Sequence, residues 1–225
     1  TIEPAYEGHF DLITSNIPFG DVSLFDPAFS NSRDPVRRQG AWAIHNYFFM
    51  KSVDLVRAGG LIAFITSQGM ADAERNRPVR EWLMERCDLV AAVRLPNNLF
   101  TDHAGTEVGS DLIVLQKNSA ARPLSERQRD FIETRTLSNG ITVNNSFRSL
   151  DRVVQTSAKV GTNPYGKPAM EFTHAGGVEG IARALADMLA EDMERHFNRE
   201  LYESHALKIA PHQYREQQTE TVSPR

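Results

Sequence analysis

The chain has 225 residues, of which 40% are hydrophobic and 24% are charged, with a formal net charge of −4. This composition is typical of a globular domain and argues against both wholesale disorder and a polycationic coat for nucleic acid. No apolar run approaches the ~20 residues of a membrane helix. The single cysteine, Cys87, cannot form an internal disulfide, which favours a reducing cytoplasm.

The first half of the chain alternates predicted strands with predicted helices. The strands are expected at 10–14, 61–66, 89–95 and 111–116, and the helices at 41–57 and 78–86. We expect Gly59-Gly60 to stop the first helix and residues 20–40 to form a long loop. Continuous apolar strands predict a sheet covered on both faces. Because no helical pattern joins the last two strands, the fourth is predicted to be antiparallel to its neighbours.

The second half has a different composition. Residues 117–168 carry a net charge of +5 between segments of −5 and −4, so this block either faces water or lies near phosphates. Ser125-Glu-Arg-Gln128 is a capping box and predicts a helix over 126–134. The segment 136–172 is rich in turn residues. An amphipathic helix is predicted over 178–202.

The tetrapeptide Asn16-Ile17-Pro18-Phe19, followed by Gly20, lies at the carboxyl end of the first predicted strand. Ligands of open α/β sheets bind at such ends. The Asn16 side-chain oxygen and the Ile17 carbonyl are acceptors, Pro18 stiffens the turn, Phe19 has a flat apolar face, and Gly20 permits close approach. Two acceptors beside an aromatic face suit an exocyclic amino group on a planar ring.

The chemistry of such an amino group explains why both acceptors are needed. The amino nitrogen of adenine is a poor nucleophile because its lone pair is delocalised into the ring. Hydrogen bonds from its two protons to Asn16 and Ile17 would favour a pyramidal nitrogen whose lone pair points at an incoming methyl group. Stacking of Phe19 on the ring would contribute about 1–3 kcal/mol.

The tetrapeptide resembles the catalytic Asn/Asp-Pro-Pro-Tyr/Phe motif of S-adenosylmethionine-dependent amino-group methyltransferases, with Ile17 at the usual first proline. Arg94-Leu-Pro-Asn-Asn-Leu-Phe100 and the reversed strand resemble late motifs of adenine-N6 DNA methyltransferases, including restriction–modification subunits. This resemblance implies that Phe100 packs against a flipped base, although Phe100 could also anchor its loop to the core. It also implies DNA as partner and S-adenosylmethionine as cofactor.

Two further stretches, Ile44-His-Asn-Tyr-Phe-Phe-Met50 and Pro164-Tyr-Gly-Lys-Pro168, resemble the methylase portions of large methylase–helicase proteins of bacterial mobile elements and phages. That resemblance implies a parent polypeptide with an upstream cofactor-binding half and a downstream helicase. The family's Gly-rich turn and acidic cofactor-binding residue normally precede the tetrapeptide, but only 15 residues precede Asn16 here. We therefore expect an N-terminally truncated fragment that lacks the main cofactor site and is inactive alone.

The expected fold is the C-terminal half of a Rossmann-like methyltransferase sheet with a reversed last strand, plus an α-rich accessory segment. The expected parts are a catalytic half-domain over 1–118, a turn-rich basic accessory segment over 119–172, a long amphipathic helix over 173–207 and a disordered tail over 208–225.

Two alternatives remain at the level of sequence. The same chemistry would serve cytosine N4, an RNA base or a protein glutamine. The chain could instead be an inactive DNA-binding or anti-restriction module. The histidines lack metal-ligand spacing, so no metal site is expected. Cys87 is expected to be buried and inert at a helix end, and Trp42 and Trp82 are expected to be packing residues.

Overall fold

The computed structural model describes residues 6–18, 20, 22–100, 109–162, 166 and 168–206; the predicted tail over 208–225 lies outside them. Among these residues, the first half of the chain forms four strands and five α-helices, in the order β1 (Phe10–Asn16), α1 (Pro27–Ser30), α2 (Pro35–Gly40), α3 (Ile44–Leu55), β2 (Val56–Ser67), α4 (Gly69–Asp72), α5 (Arg77–Met84), β3 (Cys87–Leu95) and β4 (Ser110–Lys117). Short 3-10 helices lie at Glu74–Asn76 and Asn97–Phe100.

The four strands form one mixed sheet in the order β1-β2-β4-β3. Strand β1 is parallel to β2, and β4 is antiparallel to both β2 and β3. The predicted reversal of the fourth strand is therefore confirmed. The reversed strand lies inside the sheet, between β2 and β3. It can pair directly with β3 because antiparallel neighbours need no helical crossover between them.

Apolar side chains cover both faces of the central strands, as their continuous apolar sequences predict. On one face, Ile62 and Phe64 of β2 and Ile113 of β4 pack with residues of α3 and α5. On the opposite face, Val90 and Val114 pack against Leu189, Met193 and Phe197, which belong to the predicted long helix. That helix is thus part of the core.

The two edges of the sheet differ. The accessory segment covers the β3 edge, where Val154 N donates to Arg94 O at 2.9 Å and Arg127 Nη2 donates to Val90 O at 3.1 Å. The β1 edge is open among the described residues, and Phe10 and Leu12 are 38% and 52% exposed. An apolar edge strand of this kind is a surface on which further strands can pair.

The boundary between α3 and β2 differs from the prediction. The helix ends at Leu55, and Gly59-Gly60 lie within β2, so the predicted helix stop at these glycines is wrong. The pairing register of β1 with β2 is irregular here, since Phe10 faces Val56 whereas Leu12 faces Leu61. Gly59 has a φ of +75°, and a Cβ at this position would collide with the Leu201 carbonyl oxygen. Gly59 and Gly60 therefore lie at an irregularity of β2, where the strand passes close to a neighbouring helix.

Residues 20–40 are more ordered than the predicted loop. Helices α1 and α2 each begin with a proline in the first turn, preceded by an aspartate cap. Asp26 Oδ1 accepts from Ala28 N and Asp34 Oδ1 accepts from Val36 N, both at 2.8 Å. Each Asp-Pro pair thus starts a short helix by satisfying a free backbone N–H.

The second half forms helices and two antiparallel hairpins: α6 (Glu126–Ile132), β5 (Thr134–Thr136), β6 (Thr142–Asn144), β7 (Ser157–Thr162), β8 (Pro168–Thr173), α7 (Gly177–His196) and α8 (Arg199–Ser204). Short 3-10 helices lie at Asn145–Phe147 and Leu150–Arg152. The predicted capping box at Ser125 and Gln128 is confirmed. The turn-rich composition of 136–172 did not indicate the two hairpins.

The predicted helix over 178–202 is interrupted between α7 and α8. Gln116, fully buried in β4, donates to the Asn198 carbonyl and accepts from Asn198 N, both at 2.9 Å. Asn198 then caps α8 by accepting from Leu201 N. These side-chain bonds replace the intrahelical bonds, so the chain turns at this point.

Two single-residue predictions have different outcomes. Trp82 is 6% exposed and its indole N–H donates to Asp34 Oδ2 at 2.7 Å, whereas Trp42 is 70% exposed. The expectation that Trp42 is a packing residue is therefore wrong. Cys87 is fully buried, but it begins β3 and does not end a helix.

Candidate active site

The carboxyl ends of three strands meet along one edge of the sheet. Since β1, β2 and β3 run in the same direction, Asn16, Ser67 and Leu95 all lie at this edge, beside Ser110 at the amino end of β4. With strands about 4.8 Å apart, β1 and β3 are separated by roughly 14 Å here. This edge is where open α/β sheets bind ligands.

The predicted tetrapeptide leaves the sheet at this edge. Asn16 is the last residue of β1 and is exposed, and its side chain has no hydrogen-bond partner among the described residues. Ile17 is 1% exposed, and its N–H donates to Ile65 O at 2.9 Å. Pro18 and Gly20 are exposed. The chain is thus anchored at Ile17, while the Asn16 amide remains available to a ligand.

Two predicted site residues fall partly or wholly outside what the structure describes. Phe19 lies outside the described residues, as does the Phe100 side chain. The backbone of Phe100 ends the 3-10 helix that follows β3, so it belongs to the same edge of the sheet as Asn16. A Cβ at Gly20 would find Val22 Cγ2 at 3.6 Å, an ordinary contact, so the described surroundings leave space here.

Two asparagines that precede Phe100 fix this segment to the β7–β8 hairpin. Asn97 Oδ1 accepts from Phe172 N at 2.9 Å. Asn98 Oδ1 accepts from His174 N, and its Nδ2 donates to His174 O, both at 3.1 Å. The sequence analysis placed these residues in the motif but gave them no role. Their amides hold the accessory segment against the edge of the candidate site.

A buried ion cluster, which the sequence analysis missed, lies at the same edge. Arg94 is 1% exposed, and its Nε and Nη2 donate to the two carboxylate oxygens of Asp111 at 2.8 and 3.0 Å. Its Nη2 also donates to Asp72 at 2.9 Å, and the guanidinium lies 4.1 Å from the Phe147 ring centroid. The signal in the sequence was one charged residue in each of the predicted strands at 89–95 and 111–116.

Burial and charge act in opposition on this cluster. Burial disfavours the charged form of Arg94, but Asp111 and Asp72 outweigh it and the pKa of Arg94 is raised. Burial raises the pKa of Asp111 to about 6, although Arg94 opposes the shift. The two hydrogen bonds from Arg94 favour the ionised form of Asp111. Asp72 also accepts from Asn144 N at 2.8 Å, so the cluster ties β3 and β4 to the accessory segment.

A second buried polar network joins α3 to the segment after β2. Asn76 Nδ2 donates to Gly69 O at 2.7 Å and lies 3.2 Å from His45 Nε2, while Asn46 Nδ2 donates to Asn76 Oδ1 at 2.9 Å. All three side chains are buried. The network holds the start of α3 beside the carboxyl end of β2.

The glycine-rich segments of the described chain do not form a nucleotide cradle. The backbone of Leu201 occupies the space at Gly59. The His174 ring lies against Gly176 and Gly180, where added Cβ atoms would come within 2.9 and 2.7 Å of its Cε1. Within the described ranges, no group of three or more His, Cys, Asp or Glu residues could hold a metal ion.

The comparison with protein families is decisive for identity. A family model described as N-6 DNA Methylase matches residues 3–182. The chain belongs to this family. The predicted Rossmann-like α/β class with a reversed strand is confirmed by the mixed sheet, in which β4 is antiparallel to β2 and β3. No curated protein matches the chain. No helix in the described part of the chain is long and apolar enough to cross a membrane.

Several solved structures are similar to this chain. The EcoKI M protein of a type I restriction enzyme is 14% identical over 95% of this chain and 53% of its own, with a TM-score of 0.38. A putative type I modification subunit from Vibrio vulnificus is 14% identical over 73% and 37%, with a TM-score of 0.41. A putative class I S-adenosylmethionine-dependent methyltransferase from Listeria monocytogenes is 19% identical over 52% and 34%, with a TM-score of 0.39. The chain thus spans about a third to a half of these relatives.

Proposed function

We propose that the protein to which this chain belongs transfers a methyl group from S-adenosylmethionine to N6 of an adenine flipped out of duplex DNA. The observation on which this depends is the free Asn16 amide, held at the carboxyl end of β1 by the bond from Ile17 N to Ile65 O. Membership of the N-6 DNA methylase family supports adenine as the substrate over the other amino groups that the motif would accept.

In this proposal Asn16 and Ile17 bind the target amino group. The Asn16 Oδ1 and the Ile17 carbonyl each accept one N6 proton, which favours a pyramidal nitrogen and directs its lone pair away from the ring. The acceptors are preorganised because Ile17 is anchored by its side chain in the core and by its N–H on β2. Pro18 restricts the backbone that follows.

Phe19 and Phe100 are proposed to hold the flipped base. Phe19 would stack on the purine, and Phe100, at the far side of the same sheet edge, would pack against it. Extruding a base costs a few kcal/mol of stacking, which aromatic contacts of this kind offset. The Asn97 and Asn98 hydrogen bonds would keep the Phe100 segment in place.

S-adenosylmethionine supplies an electrophilic methyl group bound to a sulfonium sulfur. The nitrogen would take this methyl group as its bond to sulfur breaks, which releases S-adenosylhomocysteine, and would then lose a proton to water, so no strong base would be needed. Within the described residues only the edge around Asn16 fits this chemistry, and no cradle for the rest of the cofactor is found there. We propose that other residues of the parent protein supply that cradle, beside the open edge of β1. A helicase in the same polypeptide remains a prediction.

The test is mass analysis of nucleosides from DNA treated with the full-length parent protein and S-adenosylmethionine. N6-methyladenine is the expected product. If N4-methylcytosine or no modified nucleoside were found, the proposed substrate would be wrong.

A further inference from the structure

Two aromatic side chains, Phe25 and Trp42, are exposed on neighbouring segments of the chain. Phe25 is 85% exposed and Trp42 is 70% exposed, more than any other large apolar side chain in the described part of the chain. A single exposed apolar residue is ordinary in a folded protein. Two exposed aromatic rings on adjoining segments are not, and they mark a surface that contacts a ligand or a partner.

One backbone hydrogen bond holds the two segments together. Leu24 N donates to Ala41 O at 2.9 Å, and both of these residues pack in the main core. The next residue on each segment, Phe25 or Trp42, is the one that is exposed. We call Phe25 and Trp42 the aromatic pair.

The backbone on the other side of each ring is anchored too. Asp26, which follows Phe25, is buried and accepts from the Tyr47 hydroxyl at 2.8 Å. Ala43, which follows Trp42, is buried, and its carbonyl accepts from Tyr47 N at 3.1 Å. Ordered backbone therefore holds both rings outward, so a ligand that binds them need not order the chain first.

The aromatic pair lies near the sheet edge that carries Asn16. Helix α3 begins two residues after Trp42, and the network of His45 and Asn76 holds that start beside the carboxyl end of β2. Phe25 belongs to the connection that leaves the sheet after Asn16. Strand β2 is the neighbour of β1, which ends at Asn16. A nucleic acid with one base at Asn16 therefore passes close to the aromatic pair.

Two exposed arginines, Arg33 and Arg38, lie between the two rings in the sequence. Arg38 donates to two backbone carbonyls, and neither arginine forms an ion pair within the described ranges. The acidic residues of the segment 22–42 are Asp26 and Asp34, and both cap short helices. The two guanidinium groups are thus available to phosphate oxygens, and their charge complements that of a nucleic acid.

We propose that Phe25 and Trp42 stack on unpaired DNA bases beside the adenine that is bound at Asn16, with Arg33 and Arg38 at the phosphates. This inference rests on the proposed function for the identity of the ligand as DNA. Flipping a base breaks stacking contacts in the strand that the base leaves, and aromatic side chains replace such contacts. Base faces that become free when the duplex opens therefore match an aromatic surface at the edge of the site.

The experiment measures binding of the full chain to a fluorescein-labelled, single-stranded oligothymidylate of about 20 nucleotides by fluorescence anisotropy. The probe contains no adenine and no methyl donor is present, so the result is independent of methyl transfer. We expect saturable binding that Trp42→Ala and Phe25→Ala each weaken about tenfold. Trp42→Phe keeps a ring and should keep most of the affinity. Trp42→Leu keeps only apolar surface and should bind as weakly as Trp42→Ala.

Leu150→Ala is the matched control, because Leu150 is an apolar residue of the accessory segment that is 52% exposed. It should leave binding unchanged, and every variant should keep the wild-type unfolding temperature since each substituted side chain is exposed. No binding by the wild-type chain, or equal binding by Trp42→Ala and Leu150→Ala, would overturn the proposal. The yield of N6-methyladenine would still test the proposed function separately.

A second arm separates base stacking from other uses of this surface. The chain has two tryptophans, and Trp82 is buried, so quenching of tryptophan emission by unlabelled oligothymidylate reports on Trp42. Quenching that is lost in Trp42→Phe, and that a duplex of equal length does not produce, supports stacking. If Trp42→Ala weakened duplex and single-strand binding equally, the ring would not contact base faces and the proposal would be wrong. If Trp42→Ala instead lowered the sedimentation coefficient of the free chain and left DNA binding unchanged, the surface would join two copies of the chain, which also contradicts the proposal.

Discussion

Ile17 donates its backbone N–H to the carbonyl oxygen of Ile65 at 2.9 Å, so the pairing of β1 with β2 continues one residue beyond Asn16. The Ile17 side chain is buried in the main core on the same segment. A proline at this position would have no N–H to donate. The departure from the usual family motif therefore adds a backbone anchor directly beside the proposed catalytic amide.

Gly59→Ala should destabilise the chain by about 3 kcal/mol or more. Its φ of +75° is unfavourable for alanine by about 1–2 kcal/mol, and the added Cβ would collide with the Leu201 carbonyl. Gly140→Ala is the matched control, because its φ is +81° but nothing lies within 4 Å of the added Cβ. Urea denaturation measures both. Equal losses for the two variants would show that α8 does not pack on β2 as described.

The alternation of strands and helices, and the reversal of β4, were predictable because they depend on local apolar runs and on connection length. The role of Gly59 was not predictable. A glycine pair that follows a helical pattern can end the helix, or it can make room for a close contact such as the one with Leu201, and the local sequence is the same in both cases. The break at Asn198 was equally hidden. It depends on Gln116, which lies 82 residues away along the chain.

Asp111→Asn should destabilise the chain by about 3–5 kcal/mol, because it leaves the buried charge of Arg94 only partly compensated. The matched comparison is Glu133→Gln, which removes the partner of Arg77 in a pair where both side chains are more than 40% exposed. That change should cost no more than about 1 kcal/mol. Denaturant titration at pH 7.5 measures both. Similar costs for the two variants would refute a structural role for the buried cluster.

Cys87 should be inert to thiol reagents in the folded chain. Burial raises the pKa of its thiol to about 12 from 9, so at pH 8 the thiolate fraction is about 1000-fold lower than in the unfolded chain. Alkylation at pH 8 should therefore be at least about 100-fold slower than in 6 M guanidinium chloride. Native labelling at the unfolded rate would contradict the burial of β3 at its first residue.

The 225-residue chain alone should show no saturable binding of S-adenosylmethionine. The backbone of Leu201 fills the space at Gly59, and His174 lies against Gly176, so neither glycine pair of the described chain is open to the cofactor. Isothermal calorimetry measures this directly, and the longer protein that we propose above is the positive control. Micromolar binding by the isolated chain would show that a cofactor cradle exists within these residues.

The candidate site was predictable where its chemistry is local in sequence. Asn16, Ile17 and Pro18 are consecutive, and the strand before them gives their place at the sheet edge. Arg94 and Asp111 were not identified as partners, because they meet only after β4 pairs antiparallel with β3. A charged residue inside a largely apolar strand is the feature of the sequence that indicates such a buried pair.

The most direct test of the central claim is the yield of N6-methyladenine from the proposed full-length protein and its Asn16 variants. Asn16→Ala should reduce the rate at least about 100-fold, because one of two acceptors for the amino group is lost. Asn16→Asp should retain part of the activity, since its carboxylate also accepts, and Asn31→Ala, at another exposed asparagine, should be unaffected. Undiminished N6-methyladenine production by Asn16→Ala would contradict the assignment of this residue as the acceptor that activates the base.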